Sequence, residues 1–267
     1  MITQTVQRWR DRRDSYRPIG ETIDPRRYEV ALIPDDTTAK GFVLAHHYSG
    51  SYPAARHRYG LYRGEGLVGV AVFSQPMQDA VLRPLPGSPR DSVELGRFVL
   101  DEDVPANGET WFLARAFELL RGEGVVGVVS FSDPEPRDDA KGQITFLGHI
   151  GTIYQAFNAT YLGRGTPRTL RLLPDGTTLS DRTMSKIRRR DRGWRYSAAL
   201  LERHGVPALT AAEDATEWLR RAVASVTRKV RHPGNHKYAW TMQKRDRKHL
   251  PDSLPYPKFT RHLKEAS

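Results

Sequence analysis

A glycine-containing turn is the segment of this sequence best suited to binding an anion. The turn consists of Gly148, His149, Ile150, Gly151 and Thr152. It follows an apolar run at residues 125–131 and precedes a predicted helix at residues 153–158. Glycines let the backbone approach a ligand, and free N–H groups at a helix N-terminus favour a phosphate or pyrophosphate. An ordinary turn is the alternative interpretation.

Polar side chains at the ends of predicted strands and helices are candidates for acid–base and hydrogen-bonding chemistry. Ser130, Ser132 and Asp133 end the apolar strand before the turn, and His47 and Tyr48 end a predicted helix. The serines could donate hydrogen bonds to a ligand, although ordinary strand-end serines explain them equally. An Asp-Pro turn likewise explains Asp133.

Arg97 is the unusual charge of the middle strand, predicted at residues 93–100. A charge in a central strand must be paired or functional, because burying it without a partner is costly. Side chains alternate along a strand, so we expect Arg97 and Glu94 to point to opposite faces. Arg97 would then pair with a phosphate, a thioester carbonyl or Asp133.

The basic charge is concentrated near the C-terminus. Residues 182–267 hold 21 Lys and Arg against 8 Asp and Glu, whereas residues 1–181 hold 21 against 23. Arginines interleaved with aromatic residues favour contact with nucleic-acid phosphates and bases. The predicted DNA contacts are Arg188, Arg189, Arg190, Arg192, Lys237, Lys244 and Arg245. A solvated basic surface is the alternative, and no membrane partner is expected.

Several classes of protein are disfavoured by the composition. The chain has no cysteine, which removes disulfides, thiol nucleophiles and cysteine–zinc sites. Its histidines show no metal-ligand spacing, so no metal is predicted. No apolar run is long enough for a signal peptide or a membrane span, which leads us to expect a cytoplasmic protein.

The order of predicted elements indicates a mixed α/β sheet. Strands are predicted at residues 28–33, 59–62, 67–73, 93–100, 125–131, 160–162 and 169–172, and helices at residues 36–48, 107–121, 153–158, 178–190, 194–204 and 211–230. We expect a charged N-terminal arm at residues 1–27, a catalytic core at residues 28–176 and a basic helical extension at residues 177–267. An irregular tail is expected at the end.

Several segments together resemble the Mom family of phage DNA-modification proteins, divergent members of the GNAT acyltransferase fold. They are His46-His47-Tyr48-Ser49, Glu94-Leu95-Gly96-Arg97, Asn107 with Thr110, Ser130 to Pro134, Gly148 to Asn158, Tyr161-Leu162-Gly163, His236 to Trp240 and Tyr256-Pro257-Lys258. The matches span roughly residues 40–260. About a dozen residues between Asp133 and the glycine turn depart from the family pattern.

The resemblance implies a GNAT-like mixed sheet flanked by helices, and an enzyme that adds a carbamoylmethyl, acetamido-like group to adenine N6 in DNA. Acetyl-CoA or a related CoA thioester is the implied donor, with its pyrophosphate on the glycine turn and near Ser130 and Ser132. Asp133 would act as a base or anchor for N6, and Tyr154 would protonate the leaving thiolate. His47 and Tyr48 would contact a flipped base, and Arg97 a charged or carbonyl group.

Two other functions remain open at the level of sequence. A GNAT enzyme could act on another amine, such as a modified base, tRNA or a small molecule. A non-catalytic nucleic-acid-binding protein could use the same scaffold. The resemblance also implies a phage or prophage origin and action in the bacterial host, and it predicts no oligomeric state.

Overall fold

The computed structural model describes residues 5–258. Its strands are β1 (Thr5–Arg10), β2 (Arg13–Pro18), β3 (Glu29–Leu32), β4 (Ala55–Arg63), β5 (Gly66–Ser74), β6 (Ser92–Leu100), β7 (Gly127–Ser132), β8 (Arg137–Asp138), β9 (Ile144–Phe146), β10 (Thr160–Arg164), β11 (Arg168–Leu172), β12 (Arg228–His232) and β13 (His236–Thr241). Its α-helices are α1 (Asp36–His46), α2 (Gly108–Gly122), α3 (Thr152–Ala156), α4 (Asp181–Arg189), α5 (Trp194–Glu202) and α6 (Ala215–Val226).

The described chain divides into two compact units. The first contains residues 5–134, 149–165 and 235–258, and the second contains residues 135–148 and 166–234. The domain boundaries predicted after residues 27 and 176 do not coincide with this division, because the chain enters each unit more than once. Within residues 5–258, no helix combines the length and apolar character needed to cross a bilayer.

The first unit is built on a sheet with the strand order β10-β13-β7-β6-β5-β4-β3. Neighbouring strands are antiparallel except β6 and β7, which are parallel and are connected through α2. The helix packs on the core cluster of the sheet through apolar residues at helical spacing, namely Phe112, Leu113, Ala116 and Leu120. The predicted mixed sheet flanked by helices is confirmed.

Strand β7 is buried on both faces, as its continuous apolar run predicts. Val128 belongs to the core cluster that contains α2, and the next residue, Val129, packs in a different cluster with Leu82 and Leu250. Successive side chains of a strand point to opposite faces, so both faces of β7 are covered by protein.

The C-terminal part of the chain returns to the sheet, so the predicted irregular tail is wrong for residues 236–241. Strand β13 lies between β10 and β7, and its Tyr238 and Ala239 are fully buried. The predicted helix at residues 211–230 also ends early, at Val226, and β12 follows it. In both cases the pairing strand is distant in sequence, and such tertiary pairing overrides local pattern.

The N-terminal segment, predicted as an arm, is a hairpin of β1 and β2. Arg10 pairs with Arg13 across a two-residue turn, in which Asp11 and Arg12 have φ of 48° and 65°. Such left-handed turns match the twist of the paired strands but usually contain Asn-Gly or Asp-Gly. The Asp-Arg sequence gives no such signal, which explains why the hairpin was not predicted.

Strand β6 contains a β-bulge at Gly96. Its register with β5 shifts there by one residue. Residues before and after the bulge all enter the same core cluster, namely Val93, Leu95, Phe98 and Leu100. A bulge reverses the alternation of side chains, and Glu94 and Arg97 therefore share a face. The prediction that they point to opposite faces is wrong for this reason.

The second unit contains α4, α5 and α6 around its own core, together with two small hairpins. The core includes Leu173, Ile187, Leu201 and Trp218. One hairpin pairs β11 with β12, and the other pairs β8 with β9. The β8–β9 hairpin is formed by the residues that depart from the family pattern before the glycine turn. Of the predicted basic helical extension, residues 181–226 contain α4, α5 and α6, whereas β12 and β13 follow as strands.

A buried ion pair holds the N-terminal hairpin to the first unit. The guanidinium of Arg8 contacts both carboxylate oxygens of Glu109, and both side chains are almost fully buried. The same guanidinium donates to backbone carbonyls of the loop before α2, at Asp101, Glu102, Val104 and Pro105. The hairpin is thus anchored by one side chain with all its donors directed into the protein.

Replacing Glu109 by Ala should lower the free energy of unfolding by about 3–5 kcal/mol, because a buried guanidinium loses its counter-charge. Urea denaturation followed by circular dichroism measures the change. The control is Arg10→Ala on the same strand, which removes the solvent-exposed pair with Glu102 and should leave stability unchanged. Equal effects of the two substitutions would show that Arg8 is not the anchor.

Candidate functional site

A pocket in the first unit opens where β6 and β7 separate. The parallel pairing of the two strands ends at Leu95 and Ser130, and the hydroxyl of Ser130 donates to the carbonyl of Leu95 at 3.0 Å. The pocket is lined by Val6, Gln7, Trp9, His47, Tyr48, Gly96, Phe98, Phe131, His149, Gly151, Thr152, Ile153 and Tyr154. Of the predicted site residues, the structure therefore brings together His47, Tyr48, His149, Gly151, Thr152 and Tyr154.

One wall of the pocket is made of aromatic and imidazole rings. The Tyr48 hydroxyl lies 3.2 Å from Nε2 of His149, within hydrogen-bond distance. Its ring is stacked on His47 at 4.4 Å between centroids and lies 4.5 Å from the ring of Trp9. The wall thus presents flat π-surfaces with few polar atoms, an arrangement suited to a planar ligand.

His47 enters this wall as a neutral imidazole. Burial lowers its pKa well below the ordinary value, and the positive charges of Arg97 and His149 lower it further. Nδ1 accepts the backbone N–H of Ser49 at 3.1 Å and lies 2.9 Å from the Ser49 hydroxyl. Because Nδ1 accepts, the proton of the neutral ring is on Nε2.

Tyr154 lies at the base of the pocket as a protonated phenol. Burial raises its pKa above the ordinary value; a hydrogen bond with Ser130 lowers it, Glu94 raises it and Arg97 lowers it. Its ring packs against Tyr238 and Trp240, at 5.4 and 5.6 Å between centroids. A buried phenol that keeps its proton can donate it to a developing anion, which is the chemistry of a general acid.

The glycine turn leads into α3 with its backbone close to other groups. Gly148 and Gly151 have φ of 77° and 71°, values that disfavour any residue with a side chain. A Cβ at Gly151 would lie 2.7 Å from the Tyr154 ring and 2.8 Å from the Tyr238 ring. The carbonyl of Ile150 accepts from the Tyr238 hydroxyl and, at 3.2 Å, from Gln155. The position of the turn is therefore fixed by contacts with β13.

Arg97 points away from the middle of the pocket. Its guanidinium donates to the carbonyl of Ser51 at 2.8 Å, to the Ser51 hydroxyl at 2.7 Å and to the carbonyl of Gly96. Burial lowers the pKa of Arg97. Burial raises the pKa of Glu94, and the positive charge of Arg97 lowers it. Arg97 therefore bonds to the loop at Ser51 instead of to its predicted partners, and Glu94 is the charged residue near it.

The remaining predicted residues of the strand end are buried beside the pocket rather than in its lining. The backbone carbonyl of Asp133 accepts from the N–H of His149 at 2.7 Å, and its side chain is almost fully buried. Ser132 is fully buried, and its hydroxyl, close to Tyr238, makes no hydrogen bond of regular geometry within residues 5–258. A small polar ligand or water molecule could satisfy it.

The predicted DNA contacts fall in both units and have different environments. Arg188, Arg189 and Arg192 are exposed in the second unit, at and beyond the end of α4. Arg190 instead donates to the carbonyls of Thr210, Ala211 and Glu213. It also lies 5.1 Å from the Trp194 ring, so it holds the local fold together.

Lys237 lies in β13 and is half-buried. Its ammonium donates to the carbonyl of Val81 at 2.6 Å, and burial lowers its pKa. Lys244 and Arg245 are exposed in a 3₁₀ helix at Lys244–His249 of the first unit. Lys237 and Arg190 are therefore poor candidates for phosphate contacts, whereas the five exposed residues remain predicted phosphate contacts.

Trp9 is one of several pocket-lining residues that were not predicted as site residues, together with Val6, Gln7, Phe98 and Phe131. It belongs to the hairpin that was predicted as an arm, and it is 9% exposed. A tryptophan between arginines in a polar segment was the available signal. Across residues 5–258, no group of three or more His, Asp and Glu side chains is placed to hold a metal ion.

The chain resembles solved acetyltransferase structures at low similarity. A Bacillus subtilis acetyltransferase in complex with CoA shares 9% identity and a TM-score of 0.36, over 80% of this chain and 98% of that chain. An N-acetyltransferase from Staphylococcus aureus shares 9% identity and a TM-score of 0.37, over 81% and 99%. A tandem GNAT protein from the clavulanic acid biosynthesis pathway shares 10% identity and a TM-score of 0.42, over 81% and 99%.

These values are too low to carry an argument about the reaction. No curated protein matches the chain. The match to a family model spans most of the chain, because it covers the sheet, α1 to α6 and the glycine turn. Residues 27–258 match the Mom protein family, and the chain belongs to that family.

Proposed function

We propose that this chain is an acyl-CoA-dependent transferase that acylates adenine N6 in DNA, with the bond from N6 to the thioester carbonyl carbon forming as the carbon–sulfur bond breaks and CoA departs as its thiol. Membership of the Mom protein family supports the proposal. The observation that carries it is the pocket between β6 and β7, whose lining combines aromatic and imidazole rings with the first residues of α3. The proposed setting is the cytoplasm of a bacterial host, where the modification would protect phage DNA from restriction.

The residues around the glycine turn fit a CoA thioester. There is no room for a side chain at Gly151, so the backbone itself faces the pocket. The first N–H groups of a helix have no acceptor within it, and Thr152 and Ile153 at the start of α3 line the pocket. When bound there, a CoA thioester would supply an activated acyl group beside Tyr154.

The acceptor side of the proposed site is formed by His47, Tyr48 and His149. Adenine N6 is a poor nucleophile, so the site must take up a proton from it and stabilise developing charge. The neutral ring of His47 can hydrogen-bond the base without repelling it. Asp133, whose backbone carbonyl accepts the N–H of His149, is the proposed anchor or base for N6.

The other proposed roles follow from the protonation states. The phenol of Tyr154 keeps its proton near neutral pH and would deliver it from Oη to the departing thiolate. Arg97 would act by fixing the loop at Ser51 and by its positive charge near Glu94 and Tyr154. Ser130, which bonds both β6 and Tyr154, would hold that phenol in place.

Lys244 and Arg245 are proposed DNA contacts in the first unit, and the larger share of the proposed contacts lies in the second unit. It holds 17 Lys and Arg against 10 Asp and Glu, and its exposed Arg188, Arg189 and Arg192 lie close in sequence to Trp194 and Tyr196. Tyr196 is 80% exposed. Exposed cations with aromatic rings among them suit phosphate contacts with stacking.

Mass spectrometry of nucleosides from the DNA of cells expressing the chain should reveal a heavier deoxyadenosine. Tyr154→Phe should lower its yield by about a hundredfold or more, as expected for loss of a general acid. Tyr16→Phe, which removes a hydroxyl from a half-exposed ring of β2, is the matched control and should leave the yield unchanged.

The mass of the added group separates a plain acetyl from a carbamoylmethyl, which contains an additional nitrogen. A heavier species on a different base would replace adenine as the acceptor. Soluble protein, DNA and acyl-CoA together without any new nucleoside would refute the proposed reaction.

Gly151→Ala should abolish detectable CoA binding in isothermal titration calorimetry, because its Cβ would collide with two buried rings at a left-handed φ. Gly122→Ala, at the end of α2, has free space around the added methyl and should bind CoA as the unaltered chain does. Circular dichroism checks that both variants fold. A folded Gly151→Ala variant with unaltered CoA affinity would exclude the turn from the donor site.

The salt dependence of DNA binding should become shallower when exposed arginines are removed. Arg188→Ser with Arg189→Ser should reduce the log–log slope by about two units, roughly one for each lost phosphate contact. The control removes Arg220 and Arg221 in the same way; these are also exposed but are paired with Glu217 and Glu213. Identical slopes for both double variants would argue against contacts at the end of α4.

A further inference from the structure

A two-stranded antiparallel ribbon of the second unit, formed by β11 and β12, carries a high concentration of positive charge. Two of the five residues of β11 and three of the five residues of β12 are Lys or Arg, and neither strand contains Asp or Glu. None of these cations belongs to the DNA contacts proposed at the end of α4 or in the 3₁₀ helix. The ribbon is therefore a separate basic surface.

The two faces of the ribbon have opposite character. Leu170 and Leu172 are buried, and they define the inner face. Successive side chains of a strand point to opposite faces, so the residues between and beside them point outward. The outer face consists of two cross-strand pairs, which are Thr169 with Arg231 and Arg171 with Lys229. Arg171 is half-buried and the other three residues are exposed, so solvent reaches this face.

The cations of the outer face have no counter-charge. Arg171 and Lys229 are directly opposite each other, and like charges in that position destabilise a strand pair. Arg231 lies two residues beyond Lys229 in β12, a distance of about 7 Å along the strand. Within residues 5–258, no acidic side chain forms an ion pair with any of the three. A ligand that supplies negative charge would therefore relieve their mutual repulsion.

The backbone that carries these cations is held in place from the inner face and from one edge. Arg228, on the inner face, contacts the carboxylate of Asp138 and donates to its backbone carbonyl at 2.8 Å. At the edge of β11, the carbonyl of Arg171 accepts from the N–H of Leu179 at 2.8 Å. His232 is fully buried, and its Nδ1 accepts the N–H of Gly234 at 3.0 Å. A preformed surface of this kind lowers the entropic cost of binding.

The size and composition of the outer face indicate which anion fits it. The ribbon is about 14 Å long, and a DNA duplex presents on the order of eight phosphates over that length of its axis. A single small anion would neutralise only part of the face. The outer face has no apolar side chain that could enter a lipid bilayer, so a membrane surface fits it less well. A linear polyanion matches the whole row of cations.

We infer that the outer face of the β11–β12 ribbon binds the phosphate backbone of duplex DNA, through Arg171, Lys229 and Arg231 and independently of base sequence. This inference rests on the proposed function and adds a contact surface to it. Contacts with phosphates fix the position of a protein on the duplex without reading its bases. The ribbon would thus retain the duplex while the pocket acts on one base.

The test replaces all three cations in the full chain, as Arg171→Gln with Lys229→Gln and Arg231→Gln. Binding to a short fluorescein-labelled DNA duplex is followed by fluorescence anisotropy between about 50 and 200 mM KCl. The log–log salt dependence should become shallower by about three units, roughly one for each lost phosphate contact. The decrease should be equal for two duplexes of unrelated sequence, because phosphates carry no sequence information.

The matched control removes the same amount of charge from exposed arginines that already have acidic partners. They are Arg26, Arg115 and Arg220, each replaced by Gln. Both triple variants lower the net charge by three, so a nonspecific effect of charge would be the same in each. The control should keep the salt dependence of the unaltered chain.

Two results would overturn the inference. One is a salt dependence of the ribbon variant equal to that of the control. The other is a loss of binding for only one of the two duplexes, which would assign the cations to base contacts. The ribbon variant should melt no lower than the unaltered chain, because it loses a repulsive pair. The single variant Lys229→Gln, at an exposed position, should by itself reduce the slope by about one unit.

Failure of this inference and failure of the proposed function are distinguishable. A modified deoxyadenosine in cells, together with an unaltered salt dependence of the ribbon variant, would remove the ribbon contact and keep the reaction. A salt dependence that changes with the ribbon, without any modified nucleoside, would keep the ribbon contact and remove the reaction.

Discussion

The extra residue at Gly96 is the constraint on which the site depends. Strand β6 has β5 on one edge and β7 on the other, but its pairing with β7 stops at Leu95, one residue before the bulge. The gap that follows is the pocket. A side chain could not replace the glycine easily, because a Cβ would lie 2.8 Å from the Ser74 hydroxyl. The same bulge places Arg97 on the face of Glu94, so local backbone geometry determines both the opening and the charges beside it.

The glycine turn depends on a strand that arrives much later in the chain. Tyr238 of β13 holds the carbonyl of Ile150 and packs on Tyr154, and the indole N–H of Trp240 donates to the carbonyl of Phe157 at 2.9 Å. The short helix α3 has too few residues to be stable alone. Its position is therefore set by tertiary contacts with β13.

Local pattern in the sequence was enough to predict most of the sheet and α2, because apolar residues recur at regular spacing in those elements. It could not predict features that arise from pairing between distant segments. The bulge at Gly96 is defined only against β5, and the β1–β2 hairpin turns on Asp11 and Arg12 without glycine. Lys237 made β13 hard to predict, because a lysine is unfavourable in a central strand unless its ammonium has a partner such as the Val81 carbonyl. The glycine turn, His47, Tyr48 and Tyr154 were predicted from their residue types, and residues of all four line one pocket.

The pocket lining comes from two parts of the chain. The turn, α3 and the strand ends all lie within the residues that match the family, whereas Trp9 comes from a hairpin outside them. The buried pair of Arg8 with Glu109 joins the two, since Glu109 is in α2. The pair of Arg10 with Glu102 and the bond from the Arg12 N–H to the His46 carbonyl hold the hairpin as well, so the position of Trp9 in the lining is set by contacts with both α1 and the start of α2.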